Sequence, residues 1–283
     1  MKKNKLALIT GATDGIGKAI AIGLAKIGYE LIVIGRSSAK YELLKVELEK
    51  VRPNIPSLFY KADLSLVQET QSALDKVKED ISELDLIVQT AGIIPHDITL
   101  TKEGIEESFA VSYLTRFLIV RELLPLLLKS EDKILFIVAN AGAKGKIYFD
   151  DINFERRKFS PIKVVKQFQQ CNDAYSMYLS DKYRDQDLVV YCYNPGLVDT
   201  NIHKGWPFPF SFLMQKIAKN LFMKQPETAA QKPLDIIRNA LLQDAVLINS
   251  KGHKINPSKL LSDLNFQHKV HDLSNSLIDS TSK

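Results

Sequence analysis

Three glycines near the N-terminus have the spacing of an anion cradle. In Thr10-Gly11-Ala12-Thr13-Asp14-Gly15-Ile16-Gly17, Gly11 permits a tight turn and Gly15 lets a pyrophosphate come up to the backbone. Gly17 allows a helix to pack closely on a strand, and Thr13, Asp14 and Ile16 complete the turn. A helix starting here offers free N–H groups and a partial positive charge to phosphate. That chemistry requires a strand before the turn and a helix after it. Leu6–Thr10 reads as the strand. Ile16–Ile27, apolar at 16, 20, 24 and 27 and stopped at Gly28, reads as the helix.

The same alternation continues along the chain. Short runs rich in Ile, Val and Leu occur at Leu6–Thr10, Leu31–Ile34, Leu58–Lys61, Leu84–Thr90, Ile134–Ala139, Leu188–Tyr193 and Ala245–Ile248. They lack the polar alternation of half-exposed strands, as expected where both faces are buried in a parallel sheet. Amphipathic stretches such as Leu66–Ile81 and Ile105–Leu128 lie between them. The expected fold is a Rossmann-type doubly wound α/β domain of about seven strands, covering residues 1–250. Residues 251–283 form a polar tail, either a docked helix or a frayed end.

Composition limits the function. With 283 residues, 45% hydrophobic and 25% charged, the chain is an ordinary globular one. Its net charge of +5 is scattered and forms no basic stripe, which argues against nucleic-acid binding. Cys171 and Cys192 are too few for a disulfide framework, and no His/Cys/Asp/Glu pattern suggests a metal. The basic start, Met1-Lys2-Lys3-Asn4-Lys5, leads into an apolar run too short for a signal peptide or a membrane span. A cytoplasmic location is expected.

The glycine spacing is T-G-x-x-x-G-x-G rather than G-x-G-x-x-G, and here the sequence resembles the short-chain dehydrogenase/reductase family. Asp63-Leu64 matches the Asp which that family uses near the adenine. Gln89-Thr90-Ala91-Gly92 matches its Asn-Asn-Ala-Gly motif, with both asparagines replaced. Asn194-Pro195-Gly196-Leu197-Val198-Asp199-Thr200 matches the Pro-Gly-x-x-x-Thr segment beside the nicotinamide. Asp150-Asp151-Ile152-Asn153-Phe154 and Pro226-Glu227-Thr228-Ala229-Ala230-Gln231 look like its retinol dehydrogenase-like branch. The resemblance implies a nicotinamide dinucleotide cofactor. After the second strand the chain reads Ile34-Gly35-Arg36-Ser37-Ser38, with no acid for a ribose 2′-OH. Arg36 can grip a 2′-phosphate, so NADP(H) is favoured over NAD(H).

The family's chemistry uses a Tyr acid/base, a Lys four residues on, a strand-end Ser and an Asn on the preceding helix. In this chain the Ser position is Ala139, and the Asn position is Ser112 within Phe109–Phe117. The text Y-x-x-x-K occurs at Tyr41…Lys45, far too early, and at Tyr178…Lys182. Only 17 residues separate Tyr178 from Pro195, nearly three turns too few. The better register lays Phe168-Gln169-Gln170-Cys171-Asn172-Asp173-Ala174 on Y-x-x-S-K-x-A, so that Phe168 replaces Tyr and Asn172 replaces Lys. Weak surrogates are Asn140 after the strand and Tyr175 two turns along the helix. Tyr148, Asp150 and His96 also lie on loops near the expected cleft.

The apolar segment Gly205–Met214, within 201–225, occupies the place of the family's substrate lid. It suggests lid contacts with an apolar substrate, contact with a membrane surface through its flanking lysines, or plain core packing. The resemblance also implies a homodimer through Tyr113–Leu128 and Val164–Tyr183. Three functions fit: an oxidoreductase with a non-standard site, acting on a carbonyl or alcohol of an apolar molecule; an inactive NADP(H)-binding sensor or partner protein; or a non-redox enzyme that keeps the cofactor as structure.

Overall fold

A computed structural model describes residues 4–200, 223–239 and 246–281. The seven runs form one parallel sheet: β1 (Lys5–Thr10), β2 (Tyr29–Gly35), β3 (Ser57–Lys61), β4 (Leu86–Gln89), β5 (Ile134–Val138), β6 (Val189–Tyr193) and β7 (Leu247–Ile248). Their order is β3-β2-β1-β4-β5-β6-β7. Side chains alternate between the sheet's two faces. Ala7, Ile9, Leu31, Val33, Phe136 and Val138 pack against α1 (Gly15–Lys26), α2 (Ser38–Val51) and α7 (Pro226–Asn239). Leu8, Ile32, Ile34, Leu135 and Ile137 face the other way. That side is covered by α3 (Val67–Asp80), α4 (Glu107–Phe109), α5 (Thr115–Leu127), α6 (Pro161–Lys182) and α8 (Leu264–Thr281).

Two elements depart from the simple pattern. The stretch expected as one helix from Ile105 to Leu128 contains a π turn, Ala110–Leu114, between α4 and α5. Thr115 Oγ1 donates to the Ala110 carbonyl at 3.1 Å, five residues back. Such turns often occur at functional sites. The polar tail forms α8, which docks by burying Val270, Ser274 and Ile278, one per helical turn. The Tyr113 and Ser274 hydroxyls pair at 2.6 Å, and the His271 ring lies 5.5 Å from Phe117 and 4.4 Å from Tyr178. Helix α8 therefore covers part of the α5–α6 surface that the family resemblance assigns to dimerisation.

Candidate functional site

The strand order reverses direction between β1 and β4, where an open α/β sheet forms a crevice beyond its C-terminal strand ends. A cleft of about 560 Å³ lies there, lined by Gly11, Thr13, Asp14, Gly15, Ile16 and Gly17 of the first turn. Arg36, Ser37, Asp63 and Leu64 form its wall on the β2–β3 side, and Ala91, Gly92 and Thr200 also line it. The glycines are fixed by their neighbours. Gly11 has φ +73°, and a Cβ there would sit 2.7 Å from the Ala91 nitrogen. A Cβ on Gly17 would collide with Thr90 Oγ1 and the Gly11 carbonyl. Thr90 belongs at this crossing because its hydroxyl donates to the Thr10 carbonyl at 2.7 Å, tying β4 to β1. Gly15 has a further constraint: a Cβ would lie 2.7 Å from Thr200 Cγ2, so the turn and the segment after β6 approach closely.

Charge is concentrated beyond β2. Ser37 caps α2, its Oγ accepting from the Lys40 nitrogen at 3.3 Å. The Arg36 guanidinium lies 3.6 Å from the Asp63 carboxylate, and Lys40 Nζ lies 3.9 Å from that of Asp14. Asp63 also accepts from the Ser65 amide and hydroxyl, at 2.9 and 2.8 Å, which fixes the turn. Sequence reasoning missed Lys40, which lines the cleft. A signal was present: a cation in the first turn of a helix opposes the helix dipole, and an anionic ligand there would compensate it. Together these groups form a rim that can receive a phosphate beside the glycine turn. The close-packed turn and the N-terminus of α1 fit a dinucleotide.

The positions expected to carry catalysis form a different picture. Ser112 sits in the π turn, where its Oγ accepts from the Ile93 amide at 3.1 Å and braces the wall after β4. Ala139 and Phe168 are buried. Asn172 is also buried, and its Nδ2 donates to the carbonyls of Ser112 at 2.9 Å and Phe168 at 2.8 Å. The polar residues around it are committed as well. Gln167 Oε1 accepts from the Tyr148 amide and Gln169 Oε1 from the Asn140 amide, each at 2.9 Å. Gln170 Nε2 donates to the Ala143 carbonyl. Helix α6 thus holds down the loop after β5 with a series of carboxamides.

Tyr178 lies elsewhere. It bonds Lys182 Nζ at 2.9 Å and packs between His268 and His271 of α8. Tyr178→Phe should therefore leave dinucleotide affinity unchanged while lowering the melting temperature by a few degrees. A calorimetric titration beside a melting curve checks this, and a lost affinity would return Tyr178 to the site. Tyr175 does not line the cleft. Its ring packs 4.6 Å from Phe117, and burial pushes its hydroxyl well above the ordinary tyrosine pKa. Asn140 remains exposed and accepts from Asn194 Nδ2 at 2.6 Å. Arg157 pairs with Asp150 at 2.7 Å, holds its carboxyl below the usual range and lies over the Tyr148 ring. Pro195, Gly196 and Val198 follow β6 but are not among the residues lining the cleft. The expected lid segment, Gly205–Met214, lies outside the described residues.

One buried acid was not anticipated. Asp173 accepts from the Gly142 amide at 2.9 Å and the Cys192 thiol at 3.4 Å. Burial pushes its pKa up to about 7, against these bonds, which favour the charged form. The unfolded chain gives up this proton first, near pH 4, so stability falls as pH rises from about 4 to 7 and then levels. Asp173→Asn keeps an acceptor for Gly142 and removes the titration. Its stability relative to the parent should rise by about 1 kcal/mol or more between pH 5 and pH 8. Denaturant midpoints at the two pH values test this, and parallel midpoints contradict it.

Comparison with known proteins agrees with this geometry. The family described as short chain dehydrogenase matches residues 5–150. The oxidoreductase calI of Penicillium decumbens is 27% identical over 254 residues, 85% of this chain and 70% of that protein. Retinol dehydrogenase 13 of Homo sapiens is 26% identical over 231 residues, 80% of this chain and 70% of that protein. Among solved structures, YwfH, an NADPH dependent reductase involved in bacilysin biosynthesis, superposes with a TM-score of 0.69 at 17% identity. The match covers 90% of this chain and 100% of that one. The switch-point cleft, the glycine turn and the match over more than half of the sequence lead to one assignment: the chain belongs to the short-chain dehydrogenase/reductase family of oxidoreductases, with retinol dehydrogenases among its relatives.

Proposed function

We propose that the chain binds NADP(H) and is an oxidoreductase acting on a carbonyl or alcohol of an apolar small molecule, with no side-chain proton donor of the usual kind. The observation that carries the cofactor reading is the rim beyond β2, where Arg36, Ser37 and Lys40 line the cleft and no acid ends the strand. Arg36 and Lys40 would hold the 2′-phosphate, and the turn from Gly11 to Gly17 the pyrophosphate. The bound cofactor supplies or accepts the hydride. The protein contributes binding, orientation and a dry wall. With Phe168 in place of a proton donor, turnover is slower by roughly 10²–10⁴-fold than with one.

A second reading, cofactor binding without turnover, is favoured by helix α6, whose Gln167, Gln169, Gln170 and Asn172 are all engaged by backbone groups. Oxidation of NADPH against a panel of apolar aldehydes and ketones separates the two. Turnover supports the first, and tight binding without turnover supports the second. A homodimer, if formed through the α5–α6 surface, must accommodate α8. Among the described residues, no helix is long and apolar enough to cross a membrane.

A further inference from the structure

The proposed function makes no use of Arg116, a buried cation one layer behind the cleft. It lies in the first turn of α5 and is 5% exposed. Its Nε and Nη2 both donate to the Ala91 carbonyl, at 3.2 and 2.5 Å, and its Nη1 donates to Asn172 Oδ1 at 3.4 Å. Among the described residues no carboxylate forms an ion pair with it. Burial lowers its pKa to about 10, which leaves it charged at neutral pH. It also acts on the Cys192 thiol, which burial keeps protonated and which donates to Asp173. Arg116 therefore keeps its own positive charge in a medium that screens it poorly.

The strand order says what that charge faces. Arg36 and Asp63 follow β2 and β3, the glycine turn follows β1, and Ala91 and Gly92 follow β4, so the cleft runs across the strand ends in that sequence. A dinucleotide whose 2′-phosphate sits at Arg36 would have its nicotinamide end on the β4 side. There the wall is one residue thick, since a Cβ on Gly92 would lie 3.3 Å from Arg116 Nη2.

We propose that Arg116 makes the cleft discriminate by the charge of the nicotinamide ring, favouring the neutral reduced form over the cationic oxidised form. This rests on the reading of the cleft as an NADP(H) site. The two cofactors share every phosphate, so the difference in their affinities isolates the ring. Adenosine 2′,5′-bisphosphate, which has no nicotinamide, reports on the other end alone.

The test is calorimetric titration of the full chain with NADPH, NADP⁺ and adenosine 2′,5′-bisphosphate, for the parent, Arg116→Gln and Arg116→Lys. The parent should bind NADPH about tenfold or more tightly than NADP⁺. Arg116→Gln should bring that ratio toward one, Arg116→Lys should retain most of it, and the bisphosphate should bind all three chains alike. A parent ratio near one overturns the proposal, and so does an undiminished ratio in Arg116→Gln. If the Gln variant does not fold, the parent ratio decides alone. Failure of the parent to bind any of the three ligands is a different result and removes the cofactor reading itself.

Discussion

Phe168→Tyr combined with Ala139→Ser is expected to raise NADPH-dependent turnover of an apolar carbonyl by about 100-fold or more. The first substitution adds a phenol on the helix where the family resemblance implies a general acid. The second restores a hydroxyl at the C-terminal end of β5. Both changes are small in volume, and the surrounding core is already shaped for a ring at 168 and a short side chain at 139. The Lys position is deliberately left alone. Asn172 Oδ1 lies 3.4 Å from Arg116 Nη1, so Asn172→Lys would place a second cation in the same buried space. It would also remove the amide that holds the Ser112 and Phe168 carbonyls. Two buried like charges raise the cost of folding sharply. Rates for the parent, each single variant and the double variant test the expectation. An unchanged rate in a folded double variant, with cofactor bound, would show that proton donation does not limit this site.

Reversing the charge of the rim should have the second large effect. Arg36→Glu with Lys40→Glu is expected to weaken NADPH binding by about 100-fold, or about 2.8 kcal/mol. NADH should bind the variant at least as well as it binds the parent, because Glu at 36 can accept from a ribose 2′-OH. Both side chains are largely exposed, so the NADPH loss should shrink with added salt. A ligand held elsewhere would show neither the crossover nor the salt dependence.

The sheet was readable in the sequence because strands buried on both faces need continuous apolar runs. All seven runs became strands of one parallel sheet, with ends shifted by only a residue or two. The glycine turn was readable because its contacts are local and backbone conformation dictates residue type. Gly11 and Gly15 do have positive φ. The π turn at Ala110–Leu114 was not legible, since one extra residue per turn barely disturbs apolar periodicity over a long helix. Helix α8 was only half legible. Its buried face mixes Val270 and Ile278 with Gln267 and Ser274; Gln267 bonds the Leu261 carbonyl just before the helix, and Ser274 meets Tyr113 of the domain only after docking. Helix α6 was harder still. Carboxamides such as Gln167 and Gln169 suit a solvated face equally well, and only the loop after β5 explains their burial. Arg116 gave no signal either, because its partners, the Ala91 carbonyl and Asn172, are distant in sequence.

Calorimetric titration of the full chain with NADPH and, separately, with NADH is the most direct test of the central claim. The account predicts binding of NADPH in preference to NADH, through the glycine turn and the Arg36–Lys40 rim. No binding to either cofactor would contradict it, and would leave the fold as a scaffold for unrelated work.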